Sequence, residues 1–231
     1  MLTENTVTKL QEMHLSAMAK AFKDQLTNPN MAGMSFEDRF GLLVDQEWTT
    51  RKNNHLNRLI KSAGFAEPNA CVEDIEYHAD RKLDKTQIAR LACCDYITDH
   101  HNIMLLGATG SGKTYLACAL GMAAVRKFLT VKYVRLPELL TELAIARSNG
   151  TYRKVIQQYK KPALLILDEW LLYPLKEPRR EIYWRLPRQG TRRPPPSSAR
   201  NSKFLVGGIR SGTPFLQTPS VTVLSTTLIQ S

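Results

Sequence analysis

Apolar residues recur at helical spacing through the first third of the chain. Leu15, Met18, Phe22 and Leu26 fall on one helical face, and Pro29, set between two asparagines, ends that run. Ser35 opens a second helix with Asp38 three residues on, close to a capping box, and Phe36, Phe40, Leu43 and Val44 form its apolar stripe. A third helical pattern carries Leu56, Leu59, Ile60 and Ala63 and stops at Gly64, a residue suited to the left-handed position past a helix end. Residues 84–101 read as a helix running into a short connector. Residues 102–106, NIMLL, then make a brief apolar run that ends in glycine, as a buried strand of a parallel sheet does. Residues 115–125 have helical length and composition, and residues 132–136 read as a second strand. Pro137 opens the helix LPELLTELAIAR at a place where a first turn tolerates proline. Residues 163–167, ALLIL, form a fully apolar strand that ends at Asp168. Strands alternating with helices predict an α/β fold with a parallel sheet flanked by helices, preceded by an N-terminal helical module.

Composition narrows this picture. Of the 231 residues 43% are hydrophobic, enough for a real core, yet no apolar run approaches the roughly 20 residues of a membrane span. The polar first residues do not resemble a signal peptide. Cys71, Cys93, Cys94 and Cys118 form no CxxC pair, so they read as buried thiols of a reduced, cytoplasmic protein. The net charge of +11 suggests nucleic acid, but its distribution weakens that inference. Residues 178–231 hold nine Lys and Arg against the single acid Glu181, and the rest of the chain is close to neutral. Arg51, Lys52, Arg58 and Lys61 gather on the third helical pattern, where they serve either a solvated face or a DNA-facing one.

The chemistry is concentrated in two short strings. GATGSGKT comprises Gly107, Ala108, Thr109, Gly110, Ser111, Gly112, Lys113 and Thr114 and fits G-x-x-x-x-G-K-[ST]. The glycines let the backbone turn its N–H groups inward around phosphate oxygens, and the following helix adds its positive end. Lys113 reaches the β- and γ-phosphates as a point charge, and Thr114 offers its hydroxyl to Mg²⁺. The motif sits between a predicted strand and a predicted helix, as it must. The second string, LLILDE, carries two carboxylates out of a buried strand 55 residues beyond Lys113. Asp168 would hold Mg²⁺, directly or through water, and Glu169 would orient and polarise the attacking water of an ATPase. No arginine finger can be assigned from the residues themselves.

GATGSGKT, LLILDEWLLYPL at 164–175 and LLVDQEWTTRKNNHLNRLIKSAGF at 42–65 together resemble the IstB-like ATP-binding proteins of insertion sequences, transposition helper ATPases of the AAA+ class related to DnaC-type helicase loaders. The resemblance covers residues 1 to about 177. It implies an N-terminal helical module over 1–75 that helps engage DNA and an AAA+ ATPase core over 76–177. It also implies ATP and Mg²⁺ as cofactors, the transposase of the same element as partner, and an ATP-dependent homo-oligomer on DNA. On this resemblance Lys113 and Thr114 carry ATP and Mg²⁺, while Asp168 and Glu169 carry hydrolysis. A helicase-loader-like replication ATPase shares both motifs. A non-enzymatic DNA-binding remnant, acting through the N-terminal helices and the basic tail, is the reading of a different class.

Residues 178–231 depart from the family pattern. They hold a proline triplet, seven of the 12 prolines and six arginines in their first sixteen residues, without a convincing period. They are expected to form a disordered basic tail that supplies no further strand to the sheet. The neighbouring reading frame can encode family-like strings, including a strand TIFCS and the segment DAVCDRIVH, which points to a frameshift after about residue 177. The strand-end polar residue that senses the γ-phosphate and an arginine acting across a subunit boundary would then be lost. Arg179, Arg180, Arg185, Arg192 and Arg193 do not replace them on charge alone. Impaired ATP binding and hydrolysis are expected.

Overall fold

The computed structural model describes residues 2–31, 33–77, 83–99, 101–107, 110–169, 203–207 and 222–226. The chain divides into two compact units, Met1–Arg58 and Leu59–Ser231.

The first unit is helical. It holds α1 (Leu2–Glu12), α2 (Ser16–Thr27) and most of α3 (Phe36–Ala63). α3 starts as its sequence dictates: the Asp38 N–H donates to Ser35 Oγ at 3.1 Å, and the Ser35 hydroxyl donates to the Asp38 carboxylate at 2.9 Å. Glu47 of α3 is buried, where it accepts from the Met18 backbone N–H at 2.9 Å and from Arg51 Nε at 2.6 Å. It thereby satisfies an orphan donor in the first turn of α2 from across the unit. The expected apolar stripe on α3 is overturned in part. Leu43 is buried, but Phe36 is 74% exposed and Phe40 and Val44 are also exposed. Periodicity defined a helix face here without defining a cover for it, and Phe36 stacks on Phe40 instead.

The second unit contains the end of α3, then α4 (Lys85–Ala92), α5 (Asp95–Thr98), β1 (Asn102–Leu106), α6 (Lys113–Arg126), β2 (Val131–Arg135), α7 (Leu136–Ser148), α8 (Tyr152–Lys160), β3 (Leu164–Asp168), β4 (Lys203–Gly207) and β5 (Thr222–Thr226). The helix expected to run into a short connector over 84–101 is followed there by a second short helix. Asp84 caps α4 by accepting from the N–H groups of Thr86 and Gln87, and Cys94 at φ 62° breaks the run before α5. α8 fills a stretch in which no element was foreseen. The four cysteines are free, as expected, but burial holds only for Cys94 and Cys118. Cys93 is exposed, and Cys71 is half-buried in a polar cluster with Glu73 and Arg126.

The sheet order is β2-β3-β4-β1-β5. β2, β3, β4 and β1 are parallel, and β5 runs antiparallel to β1 at the edge. The expectation that residues 178–231 supply no further strand is corrected by β4 and β5, and the rest of the expected tail lies outside the described residues. KFLVG and TVLST are short apolar or β-branched runs, which overall proline and arginine content conceals. The five tail arginines named above lie outside the described residues.

All five residues of β3 are buried, which accounts for the uninterrupted apolar run LLIL. α7 and α8 close over Val134, Leu165 and Leu167 with Leu139, Leu143, Ile156 and Tyr159. α6 packs on the sheet, with Leu116, Ala117, Leu120 and Ala124 among its buried residues. Its closest approach is at Gly121, where a Cβ would stand 2.6 Å from Phe65 and 2.7 Å from Ile166. Only glycine allows α6 to lie this near β3.

Candidate nucleotide site

The loop after β1 begins at the buried Gly107 and enters α6 at Lys113. Gly110 and Gly112 have φ of 79° and 84°, left-handed values that side chains adopt at a cost. The turn therefore needs glycine at these two positions. Ala108 and Thr109 lie outside the described residues. Ser111 Oγ is buried with no hydrogen-bond partner among the described residues. Lys113 Nζ donates to the Gly107 carbonyl at 3.0 Å, which folds the lysine back over its own loop. Burial lowers its ammonium below the ordinary lysine range, with the Asp168 charge pulling the other way. A group in that state gains from a second anion, and a phosphate would supply one.

Asp168 ends β3, 6% exposed. Thr114 Oγ1 donates to its Oδ2 at 2.7 Å, so the two motifs meet although 54 residues separate them. Tyr133 of β2 donates to the same Oδ2 at 2.8 Å, and the Glu169 backbone N–H donates to Oδ1 at 2.8 Å. Glu169 itself sits at φ 55°, a left-handed conformation uncommon outside glycine. Arg135, the last residue of β2, lies 3.4 Å from the Glu169 carboxylate and 3.9 Å from that of Glu138. A pocket of about 290 Å³ adjoins the loop between Ile75, Glu76 and Leu83 on one side and Ser111, Gly112 and Tyr115 on the other.

The described members of both motifs thus converge on one end of the sheet. The donor set fits a hard cation shared with phosphate. Thr114 brings an oxygen ligand and Asp168 a second oxygen, directly or through water, as Mg²⁺ requires, and they leave most of its shell for phosphate and water. The orphaned Ser111 hydroxyl also fits an anion seated in the loop. Two residues of this site escaped the sequence reading, Tyr133 and Arg135. Their one legible signal is the i, i+2 spacing that sets both on one face of β2.

Residues 8–187 match the protein family described as IstB-like ATP binding protein. The chain is 42% identical over 177 residues to a protein of Pseudomonas fluorescens named as the ATP-binding protein of insertion sequence IS1162, a match covering 77% of each chain. It is 38% identical over 180 residues to the insertion-sequence ATP-binding protein y4pL of Sinorhizobium fredii, covering 78% of this chain and 73% of that one. Among solved structures it is similar to the DnaC helicase loader, with a TM-score of 0.50 at 16% identity over 63% of this chain and 78% of that chain, a likeness of fold. Among the described residues no helix is long and apolar enough to cross a membrane.

Proposed function

Because this chain belongs to the IstB-like ATP-binding protein family, we propose that it binds Mg²⁺-ATP at residues 107–114 and serves the DNA transposase of an insertion sequence as its helper. The observation that carries the reading is the 2.7 Å bond between Thr114 and Asp168, which joins the two nucleotide motifs into one oxygen site. Bound Mg²⁺ would neutralise charge on the β- and γ-phosphate oxygens. The protein's own groups do the rest. The loop N–H groups and the start of α6 bind phosphate oxygens. Lys113 trades the Gly107 carbonyl for a phosphate oxygen, and Asp168 keeps the Thr114 hydroxyl in place. The base and sugar take the adjoining pocket. Glu169 accepts a hydrogen bond from the attacking water and draws its proton as ATP and water give ADP and phosphate.

DNA engagement is assigned to the first unit. An open cleft of about 850 Å³ there is walled by Trp48, Arg51, Lys52, Asn54, His55 and Arg58. Cations beside an aromatic ring suit a phosphodiester chain and its bases. Partnership with a transposase is supported by the insertion-sequence names of the relatives, while assembly into an ATP-dependent homo-oligomer rests on the family resemblance alone.

Hydrolysis is read as impaired. The family match runs ten residues past the expected break and ends at residue 187, and the support for a shifted frame is the arginine and proline content beyond 177. Sequencing the locus tests the frameshift: the neighbouring frame should encode TIFCS and DAVCDRIVH, and the idea fails if it does not. The site is tested by two variants. Lys113→Ala should lose ATP binding. Glu169→Gln should keep binding and lose the residual single-turnover hydrolysis. Parent-like binding by the first overturns the nucleotide site, and parent-like turnover by the second overturns only the role of Glu169.

A further inference from the structure

Asp168 is buried and yet accepts three hydrogen bonds, which together fix both of its oxygens. Two donors belong to the nucleotide motifs, the Thr114 hydroxyl and the Glu169 backbone. The third, Tyr133, does not. It sits on β2, paired with Ile166 of β3, and its side chain reaches diagonally to the residue two places further along the neighbouring strand. The ring is buried, and its hydroxyl donates to Oδ2 of Asp168 at 2.8 Å.

A carboxylate oxygen has two lone-pair sites. On Oδ2 of Asp168 these are taken by Thr114 and Tyr133. An oxygen so filled meets a cation through its partners: it holds the proton of the Thr114 hydroxyl and so leaves that hydroxyl's lone pairs for the metal. Oδ1, with one site used by the Glu169 N–H, keeps one for a metal-bound water.

We propose that Tyr133 is a positioning residue for the Mg²⁺ site, locking Oδ2 of Asp168 so that Thr114 faces the cation and Asp168 serves it from one shell out. The proposal rests on the nucleotide site described above. It assigns a role in metal binding to a residue outside both nucleotide motifs, with Arg135 two residues on holding the other carboxylate of the pair. Thus β2 would set the geometry of both acids at the end of β3. Outer-shell partners of this kind commonly change metal affinity by about 10- to 100-fold when removed.

The test uses the full chain and Tyr133→Phe, which keeps the ring and removes one hydroxyl. Mn²⁺ takes the same oxygen ligands and its free form is counted directly by electron paramagnetic resonance. Mn²⁺ is titrated into parent and variant saturated with ADP, and ADP affinity is measured separately in EDTA. The expected result is unchanged ADP affinity in EDTA and a loss of about 10- to 100-fold in Mn²⁺ affinity. Mn²⁺ affinity within twofold of the parent overturns the proposal and leaves the nucleotide site standing. A parent that binds no ADP with or without metal overturns both. If Tyr133→Phe does not fold, the parent alone gives the answer. Adding Mg²⁺ to the ADP-saturated protein should perturb a buried tyrosine in the ultraviolet difference spectrum, and a flat spectrum rejects the lock.

Discussion

A single methyl at Gly121 tests how closely α6 must lie on β3. A Cβ there would meet Phe65 at 2.6 Å and Ile166 at 2.7 Å, against the 3.4 Å at which ordinary contact begins, so Phe65 must withdraw by about 0.8 Å and Ile166 by about 0.7 Å. Phe65 is only half-buried and can turn outward. Ile166 is fully buried in the middle of β3 and can yield only through its terminal methyl. Replacing a mid-helix glycine by alanine gains about 1 kcal/mol of helix propensity. Overpacking a core costs about 1–3 kcal/mol. The two nearly offset, so Gly121→Ala should lose from about 0 to 2 kcal/mol. A domain of this size gives about 2–4 °C of Tm per kcal/mol, so its Tm should fall by at most about 8 °C. Gly121→Leu has no outlet for three further carbons and should lose more than about 3 kcal/mol. The strain lifts α6 from β3 and stretches the Thr114 to Asp168 bond, which spans that gap. Mg²⁺-dependent stabilisation by ADP should therefore shrink along with Tm. Circular dichroism melts with and without Mg²⁺-ADP read both effects. A Gly121→Leu protein that melts within 2 °C of the parent would refute the reasoning, with ~2 °C being less than 1 kcal/mol at this size.

Two other outcomes follow from ion pairs. The Arg135 to Glu169 pair is half exposed, 47% and 36%, which limits it to about 0.2–1 kcal/mol. Arg135→Ala should therefore change residual turnover by no more than about fivefold, and a larger loss in a single-turnover assay would mean that Arg135 acts on the nucleotide itself. In the first unit, burial tends to raise the Glu47 carboxyl, but hydrogen bonds from Arg51 and the Met18 backbone and the charge of Arg51 outweigh it and hold it below 4.5. Its contribution is thus fully present above pH 4.5 and lost as pH falls through the lowered folded value. Helicity measured during acid titration should show that loss in the parent, and Glu47→Gln should flatten it; identical acid limbs in the two proteins would reject the role.

Much of the site was legible because its chemistry is local. A phosphate loop needs glycine, lysine and threonine within eight positions, and the acids need only a buried strand before them. Asp168 and Thr114 could be paired on paper for that reason. Tyr133 could not, since a tyrosine in an apolar strand reads as core until its neighbour strand is known. The N-terminal stripe failed for the opposite reason: Phe36, Phe40 and Val44 have the period of a buried face, but period carries no information on what covers it. β4 and β5 were hidden by the composition around them, because a five-residue strand is too short to alter the average of a 54-residue segment.

The strand order also governs when the site can come into being on the ribosome. β1 and β3 are not neighbours; β4 stands between them, and it ends 39 residues after Asp168 has been made. Until that length has emerged, the nascent chain carries two separate apolar strand edges facing a vacant slot, a state prone to mispairing. At about 5–20 residues per second, synthesis leaves that slot open for about 2–8 s. What closes it is a short extended run that need only be apolar and complete the backbone ladder. The end of that exposure is therefore set by a strand that lies outside both nucleotide motifs.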